Sequence, residues 1–208
     1  MKMVRALGLV VLAVAVMSLS SCNMIFGWFG GGDIVIDRFE SDSTASWALI
    51  DDGVGSAISI ARDGTVASEG DYSLRIEYTG VTLPDGWGCG VSRQIDDGPV
   101  DFTKVESVWF QIHPNGTSGD FNVQLVDADG TIYSTYTNAT DHHLSFEGND
   151  WMEFNVDMSF FSVADWGYGT VAGFDETRVA SFEIIFENSS GTVYLDDITA
   201  DWRLLGRR

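Results

Sequence analysis

Two adjacent carboxylates, Asp196 and Asp197, stand in the segment GTVYLDDITADW, residues 191–202. The segment reads as a β-strand. Alternation then places Val193, Leu195 and Asp197 on one face and Tyr194, Asp196 and Ile198 on the other. Both faces carry apolar residues, so at least one carboxylate lies in a row that packs. A buried carboxylate is costly without a partner. That partner is a cation, a set of backbone N–H groups at a turn, or an arginine such as Arg38. Asp127-Ala-Asp129-Gly130 resembles a fragment of a calcium loop but lacks the remaining ligands, and reads as a hairpin turn. The adjacent His142 and His143 cannot chelate as an i, i+4 helical pair would, and lie in a loop-like stretch. No G-x-S-x-G, H-E-x-x-H or phosphate-loop pattern occurs. Glu153 and Asp157 have the wrong spacing for an E-x-D-x-x-E strand, so the acids read as binding groups rather than a glycosidase pair.

The elements that position these residues belong to an acidic chain. Its 208 residues carry 31 Asp and Glu against 11 Lys and Arg, a net charge of −20. Such a surface repels a nucleic-acid backbone. It suits a secreted protein and one that holds hard cations. Residues 1–21 read as a secretory signal: Lys2 and Arg5 precede the apolar run LGLVVLAVAVM, too short for an ordinary membrane span. Leu19-Ser20-Ser21-Cys22 resembles the bacterial lipobox, which makes Cys22 the lipidated residue. Residues 22–33 read as a tether containing Gly30-Gly31-Gly32, and 204–208 as a basic tail. With Cys22 lipidated, Cys89 has no disulfide partner and is expected to pack as a small apolar side chain.

From Ile34 onward the pattern is β throughout. About ten short runs rich in Val, Ile, Phe, Tyr and Thr are punctuated by Gly, Asp and Asn, as in DDGVG, NGTSGD, DADG and NSSG. No helical stripe interrupts them. The expected fold is an all-β antiparallel sandwich of jelly-roll type over residues 34–203. Residues 160–177 break the rhythm with Trp166, Tyr168 and Phe174 among glycines, and read as a binding loop.

The order of landmarks carries a resemblance. IDRFES leads to Trp47, then SEGDYSLRIEYTG, GWGCGVS, VESVWFQIH, FNVQLVDADG, NDWMEFNVDMSFF and GTVYLDDI. This order resembles a carbohydrate-binding module of the galactose-binding-like jelly-roll superfamily, most similar to the family 11 modules that bind β-glucans. The resemblance implies a sugar cleft on one sheet, with aromatic rings against pyranose faces and polar side chains on hydroxyls. It implies Asp165 and Trp166 as cleft residues, with Tyr168 in the same loop, and Phe186 where the family offers a tyrosine. Trp87 falls at a turn where the family has an aromatic. Tyr133 and Tyr136 lie near a cleft-lining strand, and only one of them faces the cleft on a regular strand. Trp47, Trp109, Trp151 and Trp202 are expected in the core. The resemblance further implies a structural calcium away from the cleft, with Glu40, Asp71, Asp196 and Asp197 as its acids.

These readings make the chain a non-catalytic lipoprotein of the cell envelope. It would be held in the outer membrane where a cell has two, and would capture a polysaccharide or oligosaccharide for a partner enzyme or transporter. The alternatives are an adhesive lipoprotein that binds a protein through the same sandwich, and a glycan hydrolase or lyase.

Overall fold

The computed structural model describes residues 33–41, 44–80, 87–95, 98–137, 142–164, 166, 173–187 and 189–202. The signal, the lipidation position Cys22, most of the tether and the basic tail lie outside the described residues. Thirteen strands follow one another: β1 (Ile34–Asp37), β2 (Trp47–Asp51), β3 (Ala57–Asp63), β4 (Ser73–Thr79) and β5 (Cys89–Gln94). Next come β6 (Val105–His113), β7 (Ser118–Asp127), β8 (Ile132–Ser134) and β9 (Leu144–Glu147). The chain ends with β10 (Met152–Asp157), β11 (Ser162–Val163), β12 (Val179–Glu187) and β13 (Ser190–Trp202). Among the described residues, the helical elements are two single 3₁₀ turns, Met158–Phe160 and Glu176–Arg178.

The strands form two antiparallel sheets. One runs β10-β6-β13-β4-β3, with β1 also pairing β13. The other runs β11-β8-β7-β12-β5-β2, with β9 also pairing β7. Period-2 alternation turns Val108, Phe110 and Ile112 of β6 and Phe182, Ile184 and Phe186 of β12 toward one another, all but unexposed. Phe110 stacks on Phe154 at 5.3 Å and meets Phe121 and Phe182 edge-on. Cys89 is fully buried in this core, and burial pushes its thiol up to about 11. Asp37 joins the two sheets: its Oδ2 accepts from Arg93 Nε of β5 at 2.7 Å and from Trp47 Nε1 of β2 at 2.9 Å.

Two sequence expectations need correction. Trp47 belongs to the core, but Trp109, Trp151 and Trp202 are only half-buried and lie outside it. Because Val108, Phe110 and Ile112 face inward, Trp109 faces outward and donates Nε1–H to Glu153 at 3.0 Å. Trp151 meets His113 edge-on, and Trp202 lies under the Lys104 ammonium.

The second correction concerns β13. Strict alternation does not survive past Asp196, because the register with β6 shifts between Asp196 and Thr199 and Asp197 adopts φ 45°. This β-bulge resets the faces, so that Val193, Leu195, Ile198 and Ala200 all pack in the core. Asp127 closes the β7–β8 connection as a turn. Its Oδ1 accepts the N–H groups of Asp129 and Thr131, each at 2.9 Å.

Candidate functional site

The outer face of the seven-stranded sheet carries a cleft of about 720 Å³. Ile50, Trp87, Asn122, Gln124, Ile132, Tyr136, Trp166, Glu183, Ile185 and Glu187 line it. Alternation builds the floor. On β7, Phe121, Val123 and Leu125 pack inward, which turns Asn122 and Gln124 outward. On β12, Phe182, Ile184 and Phe186 pack inward, which turns Glu183, Ile185 and Glu187 outward. Register then sets two rows across the strands: Ser92, Glu183, Gln124 and, beside it, Gly90, Ile185, Asn122. Gly90 leaves the room that Ile185 occupies, since a Cβ there would run into Ile185 Cδ1 and the Ile184 carbonyl.

The walls are aromatic. Trp87 is 46% exposed on one side and Trp166 is 38% exposed on the other. Trp87 is held through Gly88, whose carbonyl accepts from Asp52 N and whose N–H donates to Asp52 Oδ2. Gly88 has φ 109°, and a side chain there would strike the Phe186 carbonyl. On the opposite wall, β11 pairs with β8 and Ala164 N donates to Ile132 O at 2.9 Å, which brings the chain to Trp166. Tyr136 lies 5.9 Å from Trp166 and meets His143 edge-on at 4.2 Å.

The polar groups of the floor form two sets. Asn122 Nδ2 donates to Glu187 Oε1 at 2.6 Å, and Gln124 Nε2 donates to Asn122 Oδ1 at 3.0 Å. His143 Nδ1 stands 3.9 Å from Glu187 Oε2. Glu183 accepts from Ser92 Oγ at 2.9 Å. Burial raises its pKa, and hydrogen bonds from Ser92 and Ser181 pull the other way.

The structure thus brings Trp87, Tyr136 and Trp166 together at one cleft. Asp165 and Tyr168 lie outside the described residues. Phe186 and Tyr133 are corrections. Phe186 is unexposed and stacks on Tyr78 at 4.4 Å in the core, because its neighbours Ile185 and Glu187 take the outward positions. Tyr133 stacks on Phe174 at 4.7 Å and on Phe161 at 5.7 Å, facing away from Tyr136. Sequence reading passed over Asn122, Gln124, Glu183 and Glu187. Their signal was present, as polar residues at every second position of otherwise apolar runs. It also placed His143 on a plain surface loop, whereas the ring packs against Tyr136 beside Glu187.

The acids assigned to calcium lie at a separate junction. Asp196 is 1% exposed. Its Oδ2 accepts from Ser68 N at 2.8 Å, Ser68 Oγ at 2.9 Å and Glu69 N at 3.2 Å, and its Oδ1 accepts from Asp197 N at 2.8 Å. Glu40 Oε1 accepts the N–H groups of Asp71 and Tyr72. Asp197 pairs with Arg38 Nε at 3.2 Å. Among the described residues no three acids converge on one point. As placed, the burial cost of Asp196 is met by protein donors.

The sandwich has solved counterparts. A family 11 carbohydrate-binding module from Clostridium thermocellum, in complex with a β-1,3-1,4-mixed-linked tetrasaccharide, matches 84% of this chain and 98% of its own with a TM-score of 0.66 and 20% identity. The family 11 module of a cellulosomal cellulase from the same organism matches 86% and 99%, with a TM-score of 0.65 and 20% identity. The CBM22-1 xylan-binding domain of a Paenibacillus barcinonensis protein matches 83% and 97%, with a TM-score of 0.51 and 14% identity. At these identities the likeness is one of fold. No family model and no curated protein matches the sequence.

Proposed function

We propose that this chain is a lipid-anchored binding protein whose cleft holds a polysaccharide or oligosaccharide without cleaving it. One observation carries the reading: Trp87, Tyr136 and Trp166 rim a cleft whose floor sets amides and carboxylates around Ile185. An aromatic face takes the apolar side of a sugar ring, and the floor takes its hydroxyls. The solved family 11 module with its mixed-linked tetrasaccharide supports a β-glucan as a first ligand to try. A concave, aromatic-rimmed cleft favours a sugar over the flat apolar patch that a protein partner would use.

Binding is favoured over hydrolysis by the solved counterparts, which are carbohydrate-binding modules. Glu183 and Glu187 stand four positions apart on one strand, with their backbones about 13 Å apart. Anchoring through Cys22, placement in the outer membrane and service to a partner enzyme or transporter belong to the same proposal, supported by the lipobox-like Leu19-Ser20-Ser21-Cys22. The test is a glycan array with the full chain, then calorimetry on each hit beside Trp166→Ala. A hit weakened by that change supports the cleft. Silence across a broad array of folded protein overturns it.

A further inference from the structure

The cleft holds two carboxylates, and the cationic side chains of the described protein are engaged elsewhere. Arg38 pairs with Asp197, Arg75 with Glu77, Arg93 with Asp37 and Arg178 with Asp129. Arg62 lies over the Tyr72 ring and donates to Phe39 O, and Lys104 lies over Trp202. None of these six lines the cleft. The segments outside the described residues between positions 42 and 188 contain no Lys or Arg in their sequence either. His143 stands beside Glu187, with Nδ1 at 3.9 Å from Oε2.

Glu183 is therefore a largely buried carboxylate on the cleft floor whose partners are the hydroxyls of Ser92 and Ser181. A carboxylate removed from water gains most from a cationic donor, because a charge-assisted hydrogen bond is about twice as strong as a neutral one. The low-dielectric walls and the net charge of −20 add a field that concentrates cations and repels anions. Resting on the reading of the cleft as a sugar site, we propose that its ligand carries protonated amines: a β-linked 2-amino sugar oligomer. One ammonium would sit on Glu183, with rings against Trp87 and Trp166. Polyanionic glycans would be excluded.

The test is calorimetry of the full chain with three β-1,4-linked tetramers that differ at one substituent: glucosamine, N-acetylglucosamine and glucose. It is run at low salt over a pH series that spans the ionisation of Glu183 and of the free amine, and read at the pH where the three tetramers differ most. The glucosamine tetramer is expected to bind at least tenfold tighter than the other two, and that advantage should shrink as salt is raised. Glu183→Gln should remove most of the advantage, with its melting curve checking the fold. The wild-type comparison stands without the variant. Equal or tighter binding of the glucose or N-acetylglucosamine tetramer overturns the inference and leaves the sugar cleft in place. An absence of binding to these and to every glycan on the array overturns the cleft itself.

Discussion

The carboxylate of Asp196 reaches 128 positions back along the chain to take both the backbone N–H and the hydroxyl of Ser68, at 2.8 and 2.9 Å. This fastens the last strand to the loop before β4. Asp196→Ala would leave the part-buried amides of Ser68 and Glu69 and the buried amide of Asp197 without their acceptor. The expected loss is about 3 kcal/mol in urea unfolding, with no change in sugar affinity. Melting of the wild type with and without a calcium chelator belongs beside it. A fall in Tm on chelation would show a cation sharing the junction, and an unmoved Tm would leave the hydrogen bonds as the whole tie.

Phe186 and Trp166 should separate stability from binding. Phe186→Ala removes an unexposed ring stacked on Tyr78 and should cost about 3–5 kcal/mol of stability. Whatever remains folded should bind as before, as titration of the variant below its melting range would read.

Trp87→Ala and Trp166→Ala remove exposed rings from the two walls of the cleft. Each should weaken an array-identified glycan by about tenfold, ~1.4 kcal/mol, with melting temperature unmoved. Retention of full affinity in both would place the sugar elsewhere.

Glu183 makes a pH-dependent contribution with a definite sign. Burial raises its pKa in the folded state, so the native protein binds more protons than the unfolded chain between the two values. Its contribution to stability is therefore lost as pH rises from the ordinary glutamate pKa, about 4.3, through the raised folded value. Glu183→Gln does not titrate. The stability difference between variant and wild type should move in the variant's favour over that window, as paired melts from acid to neutral pH would show. A flat difference would mean that Glu183 is solvated in the folded protein.

The all-β class, the antiparallel sandwich and the burial of Cys89 were legible in the chain, because alternation and Gly/Asp punctuation are local signals. Trp87 and Trp166 stand out in the sequence as aromatics at a turn and in an irregular loop, and Tyr136 as one near a strand. The face on which a strand residue lands was not always legible. A single bulge at Asp197, φ 45°, turned Ile198 and Ala200 into the core beside Leu195. The resemblance implied Phe186 as a cleft residue, and only the pairing of β12 between β7 and β5 decided that it faces Tyr78. The same pairing put Glu183 opposite two neutral side chains, Ser92 and Gln124. Residue type and local period are properties of a segment, so the sequence alone determined what each strand was made of. Register and sheet curvature arise between segments far apart in the chain, so only the tertiary structure decided which acids line a cleft and which tie the sheets together.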